Sequence, residues 1–179
     1  RANELLDEAG VLRDASGKRL TMNFIIEPGE EGGSQLSAAL KAMWAEVGID
    51  LIIETIEPPQ STERIARGDA NVAFHGYSSA GDPAIGWSGQ FVSTMIGFNR
   101  GNAARYSNPE IDELFALAQG ETDLEVRGEY YKRAQRIIAE DMPILTIHNP
   151  ADMEAMGTWL KGMNDEYMFP TWRNAWIDR

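Results

Sequence analysis

Apolar positions along the chain recur first at helical spacing and then in strand-like runs, and the alternation of the two predicts a layered α/β fold. Residues Ala2 to Ala9 place Leu5, Leu6 and Ala9 on one side of a short helix, which Gly10 is suited to end in a left-handed conformation. After a turn at Asp14-Ala15-Ser16-Gly17, the segment Leu20 to Ile26 is rich in strand formers. A glycine-rich loop, Gly29 to Gly33, leads to Ser34 as the expected N-cap of a helix. Leu36, Leu40, Met43, Trp44 and Val47 then recur at helical spacing until Gly48. Ile49 to Ile56 is nearly continuous in apolar content and reads as a strand covered on both faces. Strand, helix and strand in this order predict a parallel unit.

Pro58-Pro59 reads as a break, followed by a short helix capped by Ser61 and running through Arg67. Asn71 to Tyr77 supplies another strand, hence a second crossover. Ligands of such sheets sit beyond the carboxyl ends of the strands, which directs attention to the loop after Tyr77. That loop, Ser78 to Arg105, holds Gly81, Gly86, Gly89, Gly97 and Gly101. It exceeds the roughly 12–15 residues beyond which a loop without regular structure usually has a function.

Two capped helices come next. Asn108-Pro109 forms an N-cap and first-turn pair for Glu110 to Ala118, and Thr122-Asp123-Leu124-Glu125 is a capping box opening a helix to Glu140. Pro143 ends it, Ile144 to His148 reads as a final strand, and the tail from Trp159 to Trp176 has no clear period. Three of the five tryptophans (Trp159, Trp172, Trp176) lie in that tail, so it is expected to pack on something.

Composition narrows the function. With 28 acidic against 16 basic residues the formal charge is −12, which opposes phosphate binding and makes nucleic acid or an anionic membrane an unfavourable partner. No run approaches the roughly 20 apolar residues needed to span a bilayer. The chain starts at Arg1 without an apolar signal segment and reads as a mature product or a piece of a longer polypeptide. Without cysteine there are no disulfides, thiol nucleophiles or thiolate metal sites.

The two histidines, His75 and His148, have no metal-ligand spacing, so neither a metal nor another cofactor is expected. Ser78, Ser79 and Ser88 lack a nucleophile elbow, and no phosphate-binding glycine motif occurs. A hydrolase using Asp82 with His75 is the enzyme reading, and no motif favours it. The segment after the third strand does offer a polar small-molecule pocket: Tyr77, Ser78, Ser79 and Asp82, followed by Trp87, Gln90 and Asn99. Asp82-Pro83 also reads as a turn cap, and Trp87 as core filler.

These residues resemble the family 5 extracellular solute-binding proteins of ABC transporters. The resemblance is carried by Ala2 to Gly10, by Trp44-Ala45-Glu46-Val47-Gly48-Ile49-Asp50-Leu51, and by Tyr106-Ser107-Asn108-Pro109-Glu110-Ile111-Asp112-Glu113-Leu114. Arg127 to Gln135 and Ala139-Glu140-Asp141-Met142-Pro143-Ile144 extend it in the same order. It implies a type II periplasmic-binding-protein lobe, a mixed or parallel sheet flanked by helices. Residues 1–147 would form the carboxyl-terminal ligand-binding lobe, and residues 148–179 a tail that crosses back to a first lobe near Ile144 to His148.

The function implied is capture, without covalent change, of a peptide or peptide-like solute in the periplasm or another extracytoplasmic, membrane-associated setting, for delivery to an inner-membrane permease. The implied partners are the solute, the permease and the amino-terminal lobe. Arg127, Tyr130 and Tyr131 are assigned packing roles. The family's peptide binders carry Gly-Trp followed by Asp-Tyr-x-Asp/Glu-Pro, whose first acid pairs with the peptide ammonium. Here Gly76-Tyr77 and Asp82-Pro83 match the ends of that pattern, but the first acid's place falls near Ser79 or Ala80. A buried ammonium without its carboxylate is costly, so either Asp82 serves in that acid's place or the solute is not a free α-amine peptide, which leaves an opine, sugar conjugate, modified peptide or metal chelate open.

Overall fold

In the computed structural model, which describes residues 1–29, 32–74, 82–147, 155–163 and 175–178, strand β1 (Leu20–Ile26) runs between two parallel neighbours. It pairs with β2 (Ile49–Thr55) along its whole length, Leu20 opposite Ile49 through Ile26 opposite Thr55. Its other edge pairs with β3 (Val72–Ala73) at Phe24 and Ile25. The order β2-β1-β3 is that of a doubly wound sheet whose switch point lies between β1 and β3.

The chain divides into two compact units, Arg1–Gly76 with Ile96–Ala103, and Tyr77–Met95 with Ala104–Arg179. The first holds helix α1 (Ala2–Glu8), the sheet, and the crossovers α2 (Gly33–Glu46) and α3 (Pro58–Arg67). Phe24, Ile26 and Leu51 are its buried apolar centre, with Leu40 and Trp44 of α2 packed against them. Leu40 and Trp44 are four residues apart and so share a helix face, which gives α2 its seat on the sheet. Ile25 alternates to the opposite face and is also buried, so β1 is covered on both sides.

Strand β2 is different. Leu51 is fully buried but Ile52 is 48% exposed, so the expectation of cover on both faces fails: Leu40 and Trp44 cover the Leu51 face, and the opposite face of β2 is open at Ile52 among the described residues. The start of α2 also departs from expectation. Its N-cap is Gly32 (φ +83°), and Ser34 lies inside the first turn, because the left-handed glycine turns the chain into the helix earlier. Pro58-Pro59 opens α3 with Glu57 as N-cap, since proline at the first helical position loses no hydrogen bond; Ser61 is an interior residue.

In the second unit two short helices, α4 (Pro83–Gly86) and α5 (Ser88–Phe91), and a 3-10 turn at Ser93–Met95 precede the paired helices α6 (Pro109–Gly120) and α7 (Leu124–Asp141). Phe91, Ile111, Leu114, Phe115 and Ala134 form the core. The Asn108 side chain accepts from Glu110 N and caps α6. For α7 the cap is Asp123, accepting from Glu125 N and Val126 N, one residue beyond the expected Thr122. Asp and Thr are both good caps, and Asp123 is the one whose extended backbone turns into the helix. At the far end Tyr106 Oη donates to Asp141 Oδ2, and burial together with this bond pushes the phenol up to about 12, keeping it a neutral donor.

No strand forms over Ile144 to Ile147, and Leu145 and Ile147 are exposed; a strand exists only with a ladder partner, and the described residues offer none there. His148 lies outside the described residues. In the tail, β4 (Leu160–Lys161) pairs antiparallel with β5 (Trp176–Ile177), leaving Trp159 and Trp176 about half exposed.

Candidate functional site

The switch point is occupied by a polar cluster of the first unit. Glu27 follows directly on the carboxyl end of β1, and its Oε1 accepts from Ser61 Oγ of α3 and pairs with Arg100 Nη2. Arg100 also donates through Nη2 to Ser61 Oγ (2.8 Å) and through Nε to Thr62 Oγ1 (2.9 Å). Ser61 is completely buried, whereas the Glu27 and Arg100 side chains each keep 21% exposure, so the cluster is anchored inside and open outside.

Each partner arrives there for a local reason. Glu27 is placed by the end of the strand ladder. Ser61 and Thr62 come from the first turns of α3, whose start is fixed by the two prolines. Arg100 sits in the segment Ile96–Ala103, where Asn99 (φ +56°) and Asn102 (φ +39°) both adopt left-handed backbone. Asparagine tolerates that region better than most residues, yet two such residues so close together mark a tightly constrained turn. Asn102 is 1% exposed. Asn99, expected from the sequence to line the pocket, is exposed and lies next to Arg100.

Of the other pocket residues, Tyr77, Ser78 and Ser79 lie outside the described residues, as does His75. Asp82, Trp87 and Gln90 belong to the second unit. Asp82 caps α4 by accepting from Ala84 N at 2.8 Å, and both its oxygens receive Arg127 Nη2 of α7 at 2.8 and 2.9 Å. The guanidinium also lies 5.6 Å from the Tyr131 ring centre. Trp87 stacks on Phe91 with ring centres 5.9 Å apart, and Gln90 is 6% exposed. Sequence reasoning missed Glu27, Ser61 as a cluster member, Thr62 and Arg100. The available signals were a carboxylate immediately after a strand and an arginine in a glycine-flanked loop.

The Ala84 amide first, and Arg127 next, hold the Asp82 carboxyl below its ordinary value against partial burial. A group with a depressed folded pKa stabilises above its unfolded value, near 3.9, and loses that contribution as pH falls through the folded value. Asp82→Asn, which keeps a capping side chain but not the charge, is therefore expected to cost about 1 kcal/mol at neutral pH. Urea melts should show the gap closing as pH falls below that of an ordinary carboxylate. A gap that stays constant into strong acid would disprove the ion-pair account.

A parallel sheet wound in the order 2-1-3 with helical crossovers defines a doubly wound α/β lobe, and the solved structures it resembles are periplasmic binding proteins. Among solved structures, OppA of Haemophilus influenzae in complex with the peptide RPPGFSPFR superposes with a TM-score of 0.73 at 24% identity, covering 99% of this chain and 34% of that one. A dipeptide-binding protein from a Pseudoalteromonas species, in complex with Met-Leu, matches at TM-score 0.68 and 27% identity, over 79% of this chain and 28% of its own.

Residues 1–97 match the bacterial extracellular solute-binding proteins, family 5 (middle), and the chain belongs to that family. Di/tripeptide-binding protein 3 of Pseudomonas aeruginosa is 28% identical over 180 residues, which cover 98% of this chain and 32% of that protein. The chain thus spans about a third of the length of the curated relatives it matches.

Proposed function

We propose that the chain is the carboxyl-terminal ligand-binding lobe of the substrate-binding component of an ABC importer, capturing a peptide or peptide-like solute in the periplasm for delivery to a permease. The observation that carries this reading is the Glu27–Ser61–Arg100 cluster at the β1/β3 switch point, where sheets of this topology bind their ligands. The names of the relatives, peptide binders among them, support the solute class. Tyr77, Ser78, Ser79, Asp82, Trp87, Gln90 and Asn99 are assigned to the solute site, and residues 148–179 to a tail that crosses back to the amino-terminal lobe.

The role is binding without covalent change. Solute contacts made only in the closed state shift the two-lobe equilibrium toward closure, the form a permease would read. The test is thermal unfolding of the full-length protein against a mixed panel of di-, tri- and oligopeptides. A ligand at a hundredfold excess over Kd should stabilise by about 2.7 kcal/mol, a shift of about 2 °C for a chain about three times this length. Should no peptide shift the transition while an opine or metal chelate does, the peptide assignment is wrong; a protein indifferent to every solute class is not a binding component.

A further inference from the structure

Within the charged cluster at the switch point, one oxygen and one nitrogen remain uncommitted. Glu27 uses Oε1 for Ser61 and Arg100, and Arg100 uses Nε and Nη2; Glu27 Oε2 and Arg100 Nη1 have no partner among the described residues. The two side chains are equally exposed, at 21%. One ion pair at the end of β1 thus offers both an acceptor and a donor, on groups bonded to a buried serine.

The chemistry of a matching ligand follows from the charges. Glu27 and Arg100 neutralise each other, so the pair has little net attraction for an isolated ammonium or carboxylate. An extended peptide residue presents its own N–H and C=O on one edge, a donor and an acceptor that satisfy both free atoms without stranding a charge. The surrounding backbone is built to hold the arginine in place. Asn99 and Asn102 take left-handed φ on either side of it, and Arg100 is bonded to two adjacent residues of α3. Strain of this kind persists where the surrounding contacts fix it, commonly at ligand clamps.

We propose that the Glu27–Arg100 pair is an amide-recognising subsite, Glu27 Oε2 accepting a main-chain N–H of the solute and Arg100 Nη1 donating to its carbonyl. This rests on the peptide reading given above and adds the group that would read the peptide bond rather than its termini.

The probe is trialanine, compared with its two depsipeptide analogues in which one peptide N–H is replaced by an ester oxygen, with binding to the full-length protein measured by calorimetry. Losing a hydrogen bond to a charged acceptor should weaken one of the two esters by about tenfold or more. Glu27→Gln should reduce that discrimination to about threefold, since a neutral acceptor bonds more weakly. The double variant Glu27→Met with Arg100→Met removes the pair without leaving a lone charge and should abolish it.

If the double variant does not fold, the Glu27→Gln variant decides alone. Discrimination that persists unchanged in a variant with a wild-type urea midpoint overturns the subsite, as does equal binding of both esters by the wild type. Failure of trialanine alone also overturns it, because a subsite for the peptide bond is indifferent to side chains. Failure of every peptide in the panel instead removes the function on which it rests.

Discussion

Leu51→Ala is expected to destabilise the protein by about 3 kcal/mol, within the range for emptying a fully buried leucine site. Leu51 has no solvent exposure although it lies on an edge strand, because it projects onto the face shared with Phe24 and Ile26, beneath Leu40 and Trp44 of α2. Truncation removes its apolar burial and leaves a cavity that helix and sheet are too rigid to close. The neighbouring Ile52, 48% exposed on the other face, supplies the control. Ile52→Ala should cost less than about 1 kcal/mol, as its apolar surface is half in water already. Urea denaturation of both variants checks this, and similar losses at the two positions would contradict the one-sided packing of β2.

Gly48→Ala should cost about 2–4 kcal/mol, for two separable reasons. The backbone there has φ +89°, and an added Cβ would stand 2.8 Å from Arg13 Nη1, 2.9 Å from the Gly17 carbonyl and 3.0 Å from Arg19 Cγ. These neighbours cannot easily withdraw. Arg13 donates to the carbonyls of Gly17 and Glu46, while Arg19, its side chain 3% exposed, bonds the carbonyls of Val11 and Val47 and the Asp7 carboxylate. Together they tie α1, the turn before β1 and the end of α2 around this glycine.

Gly10→Ala isolates the conformational share. Its φ is +76° but nothing lies within 4 Å, so only the left-handed strain, about 1 kcal/mol, should appear. Equal costs at the two glycines would show that steric contact at Gly48 is relieved by movement.

Much of the fold was legible because its determinants are local. The strand at Leu20 to Ile26 has the bounds its composition gives, and the caps at Asn108 and near Thr122 mark α6 and α7 to within a residue or two. Where expectation failed, the deciding partner was remote. Ile144 to Ile147 has strand composition but no ladder, and Ile52 has a core residue's chemistry but an edge position. The candidate site residues divide in the same way. Asp82 was visible as a cap by its spacing to Pro83, whereas its Arg127 partner lies 45 residues away on α7.

The sequence alone therefore determined the order and type of the elements from α1 to β3 and of α6 and α7, the parallel winding and the absence of thiol chemistry, since periodicity, caps and composition act within a few residues. Tertiary structure decided which polar groups meet. Glu27, Ser61 and Arg100 are separated by 34 and 39 residues and share no motif; they converge only because β1 ends where α3 begins and a constrained turn returns the arginine to that point. Hydrogen bonds between distant side chains depend on geometry that only the assembled fold supplies, which is why the cluster at the switch point was invisible until the fold was known.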